Sequence, residues 1–207
     1  MASYESAFPY IPPSDDLATL RSAVDGCRGC PLYADATQGV FGEGLARARM
    51  MLIGEQPGDQ EDLEGRPFVG PAGKLLRAAI AEAELQVDVY VTNAVKHFKW
   101  QARGGRRLHA KPTRAERLAC APWLEREVEI VRPKVIVALG ATAAAGVFGD
   151  EFRLTHNRGK VLMSRWHIPA LATLHPSAIL RMRSSQKRAA GRRGLREDLV
   201  VAWRSTL

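Results

Sequence analysis

Cysteine is scarce in this chain: Cys27, Cys30 and Cys120 are an odd set, and no basic segment followed by an apolar stretch opens the sequence. A disulfide-stapled secreted fold is therefore not expected. No uninterrupted apolar run approaches the roughly 20 residues of a membrane span, and a cytoplasmic protein is expected. Acidic residues are in deficit, 22 Asp and Glu against 30 Lys and Arg, for a net charge of +8. That imbalance points toward a polyanionic partner. Internal repeats and long low-complexity tracts are also missing.

What is present suits one globular domain over residues 1–207, with an N-terminal extension at about 1–14 and a basic loop at about 98–114. Apolar runs rich in Val, Ile and Leu predict strands at 50–54, 89–93, 135–140 and 170–174, with a further short strand near 161–164. Helical patterns cover 15–27, 72–84, 114–131, 141–148 and about 186–203. This alternation predicts an α/β fold, three layers α/β/α around a central, mostly parallel four-stranded sheet. Sites in such sheets lie at the carboxyl ends of the strands. Three polar signatures fall there: Glu55-Gln56-Pro57-Gly58, Asn93 and His175-Pro176-Ser177. Basic residues crowd two stretches beside these signatures, from Arg103 to Arg114 and from Arg181 to Arg196.

Cys27-Arg28-Gly29-Cys30 has a spacing that lets two thiolates grip one metal atom or two corners of a cluster. Cys120 and His97 would complete four ligands, for zinc or for a four-iron cluster alike. On spacing alone, Cys120 could equally be a small buried apolar residue and His97 an ordinary loop histidine.

The runs Gly54-Glu55-Gln56-Pro57-Gly58, Gly65-Arg66-Pro67-Phe68-Val69-Gly70-Pro71-Ala72-Gly73, Val91-Thr92-Asn93 and His175-Pro176-Ser177-Ala178 resemble the four signatures of the family 4 uracil-DNA glycosylases. The likeness spans about residues 25–200 in the correct order. It implies the uracil-DNA glycosylase fold, DNA repair by base excision, and a 4Fe-4S cluster at Cys27, Cys30, His97 and Cys120, with zinc the lesser alternative. His97 stands where that family has cysteine. Together with Gln56, the run Gly58 to Asp62 and the loop Gly105-Arg106-Arg107-Leu108-His109, this resembles the UdgX branch. The resemblance implies that His109 bonds to the abasic site.

Base excision requires a flipped or single-stranded nucleotide, so the expected partner is uracil-containing DNA, single-stranded or flipped from duplex, bound by a monomer. Phe68 suits stacking on the base, Asn93 reading of its O4 and N3, and Gly54 and Gln56 the wall of its pocket. Cleavage leaves a uracil anion and a cationic sugar. His175 suits donation to O2, and Glu55 stabilisation of the cation or orientation of the nucleophile, with Gln56 and Asp59 in support. Arg106, Arg107, Lys96, Ser177 and Arg181 are expected at the DNA backbone, and Ile179-Leu180-Arg181 as a wedge into the space left by the base. Two other readings stand beside capture by His109: an ordinary turnover glycosylase using water, and a non-catalytic metal-stabilised DNA-binding module.

Overall fold

The computed structural model describes residues 4–85 and 89–206. Its strands are β1 (Glu43–Gly44), β2 (Met50–Gly54), β3 (Val89–Asn93), β4 (Trp100–Arg103), β5 (Arg106–His109), β6 (Val135–Leu139), β7 (Val161–Met163) and β8 (Pro169–Thr173). Its helices are α1 (Leu17–Val24), α2 (Asp59–Glu64), α3 (Pro71–Glu82), α4 (Arg114–Val131), α5 (Ala141–Phe148), α6 (Leu154–Asn157), α7 (Pro176–Leu180) and α8 (Ser185–Arg204).

Every residue of β2 is buried. Met50 and Leu52 face one helical layer and Met51 and Ile53 the other, as in a strand covered on both sides. Leu75, Leu76, Leu195 and Leu199, from α3 and α8, close the first face. Leu124, Val128, Ala143 and Val147, from α4 and α5, close the second. The sheet order is β1-β3-β2-β6-β8-β7. Its four central strands are the four expected from sequence, and they run parallel.

The sheet nevertheless has six strands, because β1 and β7 add antiparallel edges. β7 is the further short strand expected near 161–164, whereas β1, with two residues, is too short to carry the alternation that marks a half-buried strand. The basic loop is also structured. β4 and β5 pair as a separate hairpin, turned by Gly104 and Gly105, both at positive φ (57° and 72°), as a two-residue turn between twisted strands demands.

The expected N-terminal extension is docked at Ala7: its N–H donates to the Ala119 carbonyl at 2.8 Å. Its backbone nitrogen lies 2.7 Å from where a Cβ on Gly29 would sit, so the C-x-x-C turn closes against it only with glycine there. Residues 1–3 lie outside the described residues.

Lys96 corrects one expectation. Its side chain is fully buried and ion-paired with Glu127, and it also donates to Thr92 Oγ1 at 2.7 Å and to the Asn93 carbonyl at 2.8 Å. Glu127 further accepts from Tyr90, Thr92 and the Gly42 N–H. A lysine enclosed in this way cannot reach a phosphate. Removing one partner of a buried pair leaves the other charge unpaired, at a cost of about 3–5 kcal/mol. Lys96→Met is expected to lower the unfolding free energy by about that amount in chemical denaturation, while the salt dependence of DNA binding stays unchanged. A fully stable variant with a shallower salt dependence would contradict this placement.

Candidate active site

The carboxyl edge of the sheet opens into a cleft of about 420 Å³. Its lining includes Glu55, Gln56, Phe68, Asn93, His109, His175, Ser177 and Arg181, and brings in Gly58, Glu61, Lys111 and Thr142. The parallel register sets Gly54 beside Asn93. A Cβ on Gly54 would lie 2.3 Å from Asn93 Oδ1 and 2.7 Å from Phe68 Cζ, so glycine lets the amide and the ring meet at the floor. Phe68 has a left-handed backbone (φ 57°), and its carbonyl accepts from Arg77. A Cβ on Gly73 would collide with that carbonyl, at 1.6 Å. Glu61 ties the two floor loops together, accepting from Gly58 N–H at 3.1 Å and Gly70 N–H at 2.7 Å.

His175 caps α7 and lies across from Phe68, with ring centroids 6.4 Å apart and 26° between the planes. Its Nδ1 accepts the Ser177 N–H at 3.1 Å and lies 2.8 Å from Ser177 Oγ. An Nδ1 that accepts a hydrogen bond leaves the ring proton of the neutral imidazole on Nε2. Burial pushes the imidazole pKa down to about 4, so near neutral pH His175 is an uncharged Nε2–H donor. Ser177, expected at the DNA backbone, holds this tautomer.

Glu55 follows β2 directly. Its Oε2 accepts from Thr142, in the first turn of α5, and its Oε1 lies 3.1 Å from His109 Nε2. Burial pushes the Glu55 carboxyl up, but hydrogen bonds from His109 and Thr142 and the nearby imidazoles of His109 and His175 more than offset it. The carboxyl is held below the usual carboxylate range. Thr142 is a site residue that sequence reasoning missed; its only signal is a hydroxyl two residues after Gly140, the glycine that follows β6.

His109 is half exposed, at the end of β5. Gln56 grips the stem of its hairpin: Nε2 donates to the Lys99 and Ala110 carbonyls at 3.1 and 3.2 Å, and Oε1 accepts from Lys99 N–H at 3.1 Å. Lys99 Nζ lies 2.9 Å from both oxygens of the buried Glu116 on α4. Arg107 bonds the buried Asp62 at 2.6 Å and Asp59 at 2.7 Å, both on α2, and it lies over the Phe98 and Trp100 rings.

Three expected roles change accordingly. Gln56 and Asp59 act through the hairpin, since the Gln56 amide is engaged by its stem and Asp59 pairs with Arg107. Arg107 is a latch, its guanidinium already spent on carboxylates. Arg106, Lys111 and Arg181 do stand exposed, whereas Ile179 is fully buried in the core and cannot be a wedge.

Cys27, Cys30 and Cys120 are buried in one apolar cluster with Leu20, Val24, Phe41, Val95 and Trp123. His97 is buried too, and the charges of Asp25, just before the C-x-x-C turn, and of Arg28, within it, act on it. Burial pushes its imidazole down to about 4, leaving a neutral ring with a free lone pair. Among the described residues no three His, Cys, Asp or Glu side chains close on one point, as the ligands of a single ion must. The same cluster holds an orphaned buried donor, Trp123 Nε1. Three soft sulfur donors gathered in one buried cluster beside an unanswered N–H fit a sulfur-containing polynuclear group.

The carboxyl edge of an open α/β sheet thus gathers in one cleft an aromatic ring, a carboxamide, a neutral imidazole and a carboxylate held ionised. Residues 41–200 match the Uracil DNA glycosylase superfamily, and the chain belongs to that family. It is 40% identical over 167 residues to a Type-4 uracil-DNA glycosylase of Thermotoga maritima, covering 80% of this chain and 83% of that protein. It is 39% identical over 175 residues to the Type-4 uracil-DNA glycosylase of Sulfurisphaera tokodaii, covering 80% and 76%. The Type-4 uracil-DNA glycosylase of Archaeoglobus fulgidus is 38% identical over 162 residues, covering 74% and 78%.

Because the folded pKa of His175 lies below its ordinary 6.5, the unfolded chain takes a proton between about pH 6.5 and 4 that the folded chain refuses, and stability falls as pH drops across that window. In an NMR titration the His175 ring resonances should move near pH 4 with the Nε2–H tautomer above it. A midpoint near 6.5 would contradict the assignment.

Proposed function

We propose that this protein excises uracil from DNA and then bonds through His109 to C1′ of the resulting abasic sugar, as the UdgX resemblance implies. The uracil ring lies on Phe68, Asn93 reads its O4 and N3 edge, and the His175 Nε2–H donates to O2 as negative charge develops. A neutral donor suits this step because it is already oriented and carries no charge to desolvate. At the sugar, the Glu55 carboxylate faces the developing cation.

The observation that carries the capture reading is the 3.1 Å contact between His109 Nε2 and Glu55 Oε1. A carboxylate at that distance favours a proton on Nε2. The neutral ring then exchanges to the tautomer with its proton on Nδ1; as C1′–N1 breaks and its electrons leave on uracil, the Nε2 lone pair forms the bond to C1′, and the resulting imidazolium releases its Nδ1 proton to water while Glu55 stays ionised. Holding the ring beside the cation gives it a large effective concentration over water. The product has no second hydrogen on that nitrogen, so it cannot form the imine by which an amine adduct would open the sugar and release the enzyme. The single-turnover outcome follows from that stability.

Arg106, Lys111 and Arg181, exposed around the cleft, serve the phosphates of the bound strand. A four-iron, four-sulfur cluster on Cys27, Cys30, His97 and Cys120 supplies structural cross-linking when bound. His97 precedes the hairpin and Cys120 follows it, so these ligands fix both of its approaches.

After incubation with single-stranded DNA carrying one uracil, denaturing electrophoresis should show a protein–DNA band that survives denaturation. His109→Ala should abolish that band while uracil is still released, because Phe68, Asn93 and His175 are untouched. Persistence of the band in the variant, or its absence with the unaltered protein, would overturn capture by His109.

A further inference from the structure

Trp123 is fully buried, and among the described residues its Nε1–H is the buried side-chain polar atom without a hydrogen-bond partner. Such a donor bears its full desolvation penalty, and each one in a folded protein calls for an explanation. Its surroundings sharpen the question. Trp123 shares one buried cluster with Cys27, Cys30 and Cys120. It follows Cys120 by three residues on α4, so the two project from the same face. Helical side chains also lean toward the preceding turn, which carries the indole back over Cys120. Within this pocket Cys120 Sγ already accepts the Lys96 N–H at 3.2 Å, and the packed neighbours Leu20, Val24 and Val95 offer no side-chain acceptor.

We propose that the Trp123 indole N–H donates to a sulfur of the iron–sulfur group held by Cys27, Cys30, His97 and Cys120, and so acts as a positioning and tuning residue for it; the proposal rests on the cofactor reading above. Bridging sulfides and coordinated thiolates carry lone pairs and negative charge, and they are the acceptors that the polypeptide itself does not provide here. A hydrogen bond to such a sulfur withdraws charge from the group and favours its more reduced form, raising its reduction potential. The competing destination is the ring of Phe41, whose centroid lies 6.1 Å from that of Trp123 at 82° between planes. An N–H resting on that ring would leave the group's electronic properties untouched.

The test begins with iron and acid-labile sulfide in anaerobically prepared full-length protein. Absence of both overturns the cofactor reading itself. With both present, Trp123→Phe should keep its iron, shift the reduction potential to a more negative value and alter the iron–sulfur stretching bands in resonance Raman spectra. An unchanged potential together with unchanged bands would overturn the role of Trp123 alone. Should the variant fail to retain iron, the unaltered protein decides, with its tryptophans labelled with nitrogen-15 at the indole. The Trp123 N–H signal should be shifted and broadened by the unpaired electrons of the group, unlike those of Trp100, Trp166 and Trp203. Four ordinary indole signals would overturn the proposal.

Discussion

A histidine on a ribbon outside the main sheet meets a carboxylate at the end of a central strand because the ribbon is clamped at three points. The Gln56 amide holds the stem through both its donor and its acceptor. Lys99 fastens that stem to Glu116 on α4, and Arg107 reaches back from β5 to Asp62 and Asp59 on α2. Asp62 is fully buried and also accepts the Thr37 N–H, so the latch closes on a carboxylate that is itself immobile. With all of these contacts made, His109 Nε2 lies 3.1 Å from Glu55, the placement on which the proposed capture depends. Such preorganisation is what allows one imidazole to compete with bulk water.

The same economy governs the base end of the cleft. Burial would make a charged His175 costly, and the protein keeps the ring neutral and fixes its donor with a backbone N–H two residues away. Glu55 is partly buried, yet it is held ionised by donors on both of its oxygens. In the proposed reaction the neutral donor faces the departing base and the anion faces the sugar, the charge arrangement that glycosidic cleavage requires. Small residues make this geometry accessible, since Gly54, Gly73 and Gly140 each stand where a Cβ would crowd Asn93, Phe68 or His175.

The central strands were readable because covered parallel strands are written as continuous apolar runs, and their carboxyl ends led to Glu55, Asn93 and His175. The hairpin was missed although Gly104-Gly105 between residues 100–103 and 106–109 is a turn signal; the arginines around it read as a basic loop facing DNA. Lys96 and Arg107 show why charge is a weak guide to nucleic-acid contact. Their partners, Glu127 and Asp62, lie 31 and 45 residues away in sequence, and only the fold reveals that both cations are already engaged. Thr142 was invisible for the same reason, its importance arising entirely from the carboxylate it meets across the cleft.

The central claim is that the clamped His109 becomes the atom bonded to DNA. Mass spectrometry of the denatured reaction with a uracil-containing oligonucleotide addresses it most directly. The account predicts a species with the mass of the protein plus the oligonucleotide less one uracil, with fragment ions placing the deoxyribose on His109. Attachment at Lys111 or another residue, or unmodified protein beside free abasic DNA, would contradict it.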